Sequence, residues 1–196
     1  MARTIAKDHD EKRVGIRISA AKIFAAQGVD RASMSAIAKE CGISKALIYH
    51  YYSGKAELLF DILDCHLEGL NSVIDAVEPT EDGRAYLRDI VVEILLAYEG
   101  ADDLHRILIN SKDVLSKTQM TEISGIQRRL VGKVSDAILA VAPGLAQDAG
   151  KLHSATMSLF GMTNWYFMWN RKEDTAHRRD YARMIADLFM DGAGAV

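Results

Sequence analysis

The spacing of apolar residues indicates helices through almost the whole of this 196-residue chain. In the segment EKRVGIRISAAKIFAAQG, apolar residues recur at helical intervals and predict a buried stripe of Val14, Ile18, Ala21 and Phe24. Gly28 follows at the expected helix end, where a positive φ is often required. Extended alternation of apolar and polar residues, which is typical of a half-buried strand, does not occur.

Two short helical segments follow the first helix, with a glycine between them. Ser33 or Ser35 can cap the first segment and Ser44 can cap the second. Gly42 allows a sharp turn, so the pattern predicts a helix-turn-helix, whose second helix fits a DNA major groove about 12 Å wide. Apolar residues at this point can form a small core that holds the helix angle: Phe24, Ile37, Ala38, Ile43 and either Leu47 or Ile48.

Longer helices are predicted for the rest of the chain. One begins after Lys55, and the loop EPTEDG follows it. Helical spacing continues in five further segments: RAYLRDIVVEILLAY, DLHRILINSKDVL, TQMTEISGIQRRLVGKVSDAILAVA, LAQDAGKLHSATMSLFGMTNWYFMWNR and HRRDYARMIADLFM. The expected fold class is therefore all-α with about nine helices. We expect a three-helix helix-turn-helix domain at 1–52 and a larger helical domain at 53–196.

The composition is ordinary for a folded globular protein, with 49% apolar and 26% charged residues. The two cysteines form no recognisable framework, which suits a reducing compartment. The N-terminal stretch MARTIAKDHDEKR lacks the apolar centre of a signal peptide, and no stretch approaches the roughly 18 apolar residues of a membrane span. We therefore expect a soluble cytoplasmic protein with no membrane partner.

Charge is distributed unevenly along the chain. Residues 1–55 contain ten Lys or Arg and five Asp or Glu, whereas residues 56–196 contain fourteen and twenty-two. A basic N-terminal part on an acidic body suggests that only the N-terminal part meets a polyanion. Chance fluctuation is the alternative explanation of this asymmetry.

Neither a catalytic site nor a metal site is expected. The six histidines lack the i, i+4 pairing with an acid that a zinc-binding helix shows, and no glycine-rich phosphate loop occurs. Asp61 and Asp64 lie beside Cys65 and His66, but a solvated helix face is the simpler interpretation of this pair. We predict no enzyme activity and no cofactor.

The stretch SMSAIAKECGISKALIYHYYSGKAELL resembles the DNA-binding signature of TetR-type (tetracycline-repressor family) transcription regulators. The resemblance covers roughly residues 12–60 and includes the FAAQG helix end, the turn around CGIS, the IYHYY helix and the lysine after it. It implies a dimeric repressor with one DNA-reading helix per subunit. It also implies a helical C-terminal domain that binds a small-molecule effector and forms the dimer.

Nine residues are the candidate DNA contacts. The helix starts and the N-terminal turn of the reading helix suit phosphate oxygens and base edges, and Lys45 is the best candidate for guanine O6 and N7. The resemblance implies that Tyr49 and Tyr51 place hydroxyls against the DNA backbone and that Lys55 meets a phosphate, while Tyr52 lies in the core. The full set is Ser33, Ser35, Ser44, Lys45, Ala46, Tyr49, His50, Tyr51 and Lys55.

Two positions of the reading helix have alternative roles. The chain departs from the common family pattern at Ala46 and Leu47, where glycine and threonine are frequent. Leu47 can contact a thymine methyl group or pack into the small core, and packing is the preferred interpretation. His50 can touch a phosphate or remain a solvated imidazole.

The segment MSLFGMTNWYFMWNRKE, residues 157–173, is apolar on nearly every face, so we expect a helix buried on both sides. In the resembled family the last two helices form a four-helix bundle with those of a second copy. This implies a homodimer interface at Ser154, Ser158, Gly161, Tyr181, Ile185, Leu188 and Phe189. The other side of the helix predicts an effector pocket lined by Tyr98, Phe160, Asn164, Trp165 and Trp169.

Polar residues near this pocket have two alternative kinds of binding partner each. The Asn164 amide requires hydrogen-bond partners, which either a ligand or the second subunit can supply. Four basic residues near the last helix are expected to form a solvated rim, with a phosphorylated ligand as the alternative partner: Arg171, Lys172, Arg178 and Arg179.

A narrower resemblance concerns the effector. SKALIYHYYSGKAELLFDIL together with FGMTNWYFMWNR is most similar to members that respond to CoA thioesters in aromatic-acid and steroid-ring degradation. The expected function is thus a regulator, in the first place a repressor, that binds a palindromic double-stranded operator as a dimer and is released by a small apolar or acyl-CoA effector. The alternative is a helical ligand-binding enzyme or carrier without a role on DNA.

The different contacts expected for Lys45 and Lys55 can be tested. Lys45→Ala should change which bases are selected from a random DNA library, because a base-edge contact is lost. Lys55→Ala should instead weaken binding to all sequences and reduce the salt dependence by about one phosphate contact. An unchanged binding-site selection for Lys45→Ala would show that Lys45 does not read a base.

Overall fold

A computed structural model describes residues 2–110, 112–170 and 174–193 of the chain. These ranges contain ten α-helical segments and no strand, which confirms the all-α prediction; α9 is a single turn, so the expected number of about nine helices is also met. The helices are α1 Ala2–Gln27, α2 Met34–Glu40, α3 Lys45–Tyr51, α4 Lys55–Asp75, α5 Gly83–Ala97, α6 Asp102–Asn110, α7 Lys117–Val141, α8 Ala149–Asn164, α9 Tyr166–Trp169 and α10 Thr175–Ala193.

The chain forms two compact units, and its path passes between them three times. The N-terminal unit extends through His66 and includes Asp103–Ser124. The C-terminal unit comprises Leu67–Asp102 and the chain from Gly125 onward. Helices α4 and α7 each contribute residues to both units. The domain boundary that the sequence predicts at residue 52 stays a prediction.

The buried face of α1 differs from the predicted stripe. Val14 and Ile18 are exposed, whereas Ile16, Ala20 and Phe24 are buried. Both sets recur at i, i+4 spacing, so the periodicity alone fits either face. Burial of Ile16 and Ala20 shows which face packs inward, so the prediction was wrong at Val14 and Ile18, although Ala21 and Phe24 are buried as expected.

The predicted helix-turn-helix is confirmed in its local details. The Ser33 and Ser44 hydroxyl oxygens accept hydrogen bonds from the backbone N–H groups of Ala36 and Leu47, both at 3.1 Å, and so cap α2 and α3. Gly42 has φ = 64° in the turn between them. That left-handed conformation favours glycine and allows the abrupt change of direction.

The small core beneath α3 uses Ile48. Ile48 is fully buried with Ile37 and Ala38, while Leu47 is half-buried. Tyr52, the residue that ends α3, is also buried, as the sequence predicted. These contacts bury one face of a seven-residue helix and leave its other face in solvent.

In the C-terminal unit, α10 packs against α5 and α8. The helix predicted to continue from α8 to residue 173 breaks at Trp165, and residues 171–173 lie outside the described residues. The Thr163 hydroxyl donates to the carbonyl oxygens of Leu159 and Phe160. Such bonds from a side chain back to the preceding turn bend helices and compete with the regular backbone pattern.

His66, on the buried side of α4, faces another histidine within the N-terminal unit. The ring centroids of His66 and His105 are 5.7 Å apart in an edge-to-face arrangement. Burial, with a smaller contribution from the charge of His105, lowers the pKa of His66 to about 4. The folded protein therefore holds His66 neutral at pH values where an exposed histidine is charged.

This burial predicts a loss of stability in mild acid. The unfolded chain takes up a proton at His66 near pH 6.5, the folded chain only near pH 4, so lowering the pH between these values favours unfolding. Between pH 7 and 5 this effect amounts to about 2 kcal/mol of unfolding free energy. Urea unfolding at both pH values should show a smaller decrease for His66→Phe than for the wild type. Equal decreases would contradict the assignment.

Candidate nucleic-acid interface and effector site

The outward face of α3 carries most of the predicted DNA-reading residues. Lys45, Ala46, Tyr49 and His50 are all exposed, and their spacing places them on one side of the helix. Ile48 occupies the opposite, buried side. The structure thus brings these four residues together on a solvent-facing surface at the N-terminal half and middle of α3.

Tyr51 has a more enclosed position at the end of α3. Its ring centroid lies 4.6 Å from that of His9 on α1 and 5.8 Å from that of His50. The side chain is half-buried rather than free in solvent. Tyr51 therefore stands between two imidazoles at the border of the α3 surface.

A carboxylate beneath α3 connects three elements of the N-terminal unit. Asp61 on α4 accepts hydrogen bonds from Arg13 at 2.7 Å and Arg17 at 3.2 Å, both on α1. It also accepts one at 2.6 Å from the hydroxyl of Tyr52, and Arg13 Nε donates to that hydroxyl oxygen at 3.4 Å. Burial and the bond to Asp61 raise the pKa of Tyr52, so the phenol stays protonated and donates.

The role of Asp61 was missed by sequence reasoning, which assigned it to a solvated face. Its side chain is only 15% exposed. Arg13 and Arg17, at i, i+4 on α1, were the available signal, because like charges at this spacing repel each other and an acid between them relieves the repulsion. The cluster holds the end of α3 against α1 and α4.

Lys55 and the α2 serines border the same region. The Lys55 ammonium donates to the carbonyl oxygens of Val29 and Asp30 at 2.8 and 2.7 Å, so one of its three N–H groups remains for another acceptor. Its phosphate contact stays a prediction, and Lys55→Ala would also release the α1–α2 loop. Ser33 and Ser35 are exposed at the start of α2.

The predicted pocket residues separate into a buried and an exposed group. Tyr98 is buried and donates a hydrogen bond of 2.8 Å from its hydroxyl to Asn164 Oδ1. Burial raises the pKa of Tyr98, which keeps it protonated. Phe160 is buried, whereas Trp165 and Trp169 are 57% and 52% exposed. Asn164 thus has a hydrogen-bond partner within its own chain, whereas the sequence suggested a ligand or the second subunit.

An aromatic cluster begins at Tyr166, two residues after Asn164 in the chain. The ring centroids of Tyr166, Trp169 and Tyr181 are between 4.6 and 5.2 Å apart. Arg178 lies over Tyr166, with its guanidinium carbon 4.9 Å from the ring centroid. Arg178 is buried, so the expectation of a solvated rim was wrong for this residue; Arg171 and Lys172 lie outside the described residues.

The predicted dimer residues border an open groove between α8 and α10. The groove has a volume of about 610 Å³ and is lined by Ser154, Ser158, Leu188 and Phe189, among others. Gly161 is exposed on the same helix, and Leu188 is 64% exposed. Three other residues predicted for the interface are less accessible to a second copy: Ile185 and Phe189 are buried within the unit, and Tyr181 is half-buried.

The described residues contain neither a metal-binding cluster nor a membrane-spanning helix. Among the described residues, no group of three or more His, Cys, Asp or Glu side chains is arranged to hold a metal ion. None of the helices in the same ranges has the length and apolar character needed to cross a membrane.

Comparison with known proteins identifies both parts of the chain. Residues 16–62 match the family model described as bacterial regulatory proteins of the tetR family, and residues 80–193 match the model of the tetracyclin repressor-like C-terminal domain. The transcriptional activator FasR of Mycolicibacterium smegmatis is 28% identical over 155 residues, covering 78% of this chain and 68% of FasR.

Solved structures show the same fold. A TetR-family transcriptional regulator from Bordetella parapertussis 12822 is 30% identical, with a TM-score of 0.85 over 94% of this chain and 96% of that chain. AibR in complex with isovaleryl coenzyme A and operator DNA is 20% identical, with a TM-score of 0.76 over 90% of this chain and 97% of that one. The chain therefore belongs to the TetR family of bacterial transcriptional regulators.

Proposed function

We propose that this protein is a ligand-responsive regulator that binds a palindromic DNA operator through α3. The observation that carries the proposal is the solvent-facing surface of Lys45, Ala46, Tyr49 and His50 on a capped short helix. A side-chain core and the Asp61 cluster support that helix from below. Helices held in this way suit the major groove, because their N-terminal residues reach base edges.

Operator recognition by this protein requires two copies of α3. A two-fold dimer places two reading helices about one DNA turn apart, which matches a palindromic site. We assign the dimer contact to the exposed faces of α8 and α10. Small residues at Ser154, Ser158 and Gly161 allow close approach, and Leu188 supplies exposed apolar surface.

The effector is proposed to bind in the C-terminal unit near Tyr98 and Asn164. The hydrogen-bonded pair and the aromatic cluster that begins two residues after Asn164 suit a mainly apolar ligand with a few polar groups. An acyl-CoA remains a candidate, and AibR, which shares the fold, is described with isovaleryl coenzyme A. We propose no catalytic role for this effector site. The alternative function is an enzyme or carrier that does not bind DNA.

The proposed mechanism is a shift between two populations. An effector that binds one arrangement better favours it, and an affinity ratio of about 100 between the arrangements corresponds to roughly 2.7 kcal/mol. Helix α4 is the proposed connection, because it contributes residues to both units and carries Asp61. Release of the operator by the effector would make the protein a repressor, although its relative FasR is named as an activator.

The proposal predicts selective retention of DNA. Genomic fragments captured by the purified protein should share a palindromic sequence, and binding should weaken steeply as salt is raised, because phosphate contacts release counterions. Gel-shift titrations with the recovered sequence and a scrambled duplex would measure the preference. Equal, weak affinity for both duplexes would favour the enzyme or carrier.

The dimer assignment predicts the effect of a charge at position 188. Leu188→Glu should convert the dimer to a monomer, because it places a carboxylate in an apolar contact, and operator affinity should fall at least about tenfold. Ile18→Glu, at an exposed apolar position of the other unit, serves as the control and should remain dimeric. Native mass spectrometry would measure both states. A dimeric Leu188→Glu protein would contradict the assignment.

A further inference from the structure

Arg178, in the first turn of α10, is a buried cation with few partners. The residue is 5% exposed. One guanidinium N–H group donates to the carbonyl oxygen of Leu95 at 3.3 Å, and the group lies over the ring of Tyr166. Within the described residues, these are the hydrogen bond and the ring contact of its guanidinium. A buried charge is costly unless an opposite charge and several hydrogen bonds accompany it.

The contact with Leu95 accounts for only part of this arrangement. Leu95 lies in the last turn of α5, where carbonyl oxygens favour a nearby cation. A guanidinium has five N–H donors in a fixed fork, however, and this contact uses one of them. The bond to Leu95 orients the guanidinium and leaves most of the fork available for a second acceptor.

The surroundings of Arg178 define the kind of molecule that could supply this acceptor. Tyr166 and Tyr181 form an aromatic wall, with Trp169 at its half-exposed edge. Tyr98 is three residues beyond Leu95 on the adjoining segment and bonds to Asn164. The region thus combines an apolar surface, a few polar groups and one buried cation, which matches an amphiphile with a single anionic head.

We propose that Arg178 binds the anionic group of the effector, a carboxylate or a phosphate. The planar fork of arginine is suited to both groups, because each presents two oxygens to parallel N–H donors. The apolar part of the effector lies against the aromatic wall. This inference rests on the proposed function, because it takes the effector of the C-terminal unit as given and names its chemical class.

The two tryptophans of the chain, Trp165 and Trp169, provide the measurement. Their intrinsic fluorescence is titrated with four probes that share a ten-carbon chain: decanoate, decyl phosphate, decanoyl-CoA and decanol. The variants are Arg178→Met, which removes the charge but keeps an unbranched side chain, and Arg179→Met. Arg179 is the matched control, since it is the half-buried neighbouring arginine on the same helix.

The wild-type protein should bind at least one anionic probe and bind decanol at least about tenfold more weakly. Arg178→Met should weaken the anionic probe by about 10- to 100-fold, the usual effect of losing a charged hydrogen bond, and Arg179→Met should not. Sensitivity to decanoate identifies a carboxylate, and sensitivity confined to decyl phosphate or decanoyl-CoA identifies a phosphate. Unchanged anion affinity in Arg178→Met, equal binding of decanol, or no binding of any anionic probe would overturn the proposal.

Thermal unfolding without ligand separates this role from a structural one. If the partner of Arg178 is the effector, Arg178→Met should unfold at the same or a higher temperature than the wild type, because it removes a buried charge that has no acidic partner among the described residues. A lower unfolding temperature would assign Arg178 to the attachment of α10 to α5 and count against the proposal. Both measurements omit DNA, so their outcome is independent of whether the protein retains an operator.

Discussion

The hydrogen bonds to the Asp61 carboxylate are the constraint on which the exposed surface of α3, the proposed DNA-reading surface, depends. Helix α3 has only seven residues, too few to be stable alone, so its direction must come from tertiary contacts. The fully buried Ile48 fixes one side of α3, and the bond from Tyr52 to Asp61 fixes its end. Arg13 extends the same network to α1. The exposed residues of α3 can form a defined surface because the buried ones are held in this way.

The C-terminal unit meets a comparable constraint with different groups. The buried hydroxyl of Tyr98 is satisfied by Asn164, whereas Trp165 and Trp169 are exposed. Among the described residues of the aromatic cluster, Arg178 is a buried cation, and the proposed anionic ligand would pair with it. Under the proposed function, α4 is the connection between ligand binding and α3, since that helix carries Asp61 and contributes residues to both units.

Features that depend on neighbouring residues could be predicted from the sequence, whereas those that depend on distant pairs could not. Ser33, Ser44 and Gly42 act within a few residues, through caps and a turn, and each was predicted, Ser33 as one of two candidates with Ser35. The buried face of α1 had two helical registers, and only packing distinguishes them. Asp61 pairs with arginines 44 and 48 positions away. The burial of Arg178 likewise depends on α5, which no local pattern indicates.

Hydroxyl-radical footprinting of a DNA fragment retained by the protein tests the central claim most directly, because it maps where the protein covers the backbone. Two reading helices held in fixed directions should protect two patches on one face of the duplex, with centres about 10 base pairs apart or a multiple of that spacing. A single patch, or uniform protection along the whole fragment, would contradict two copies of α3 that are held in fixed directions.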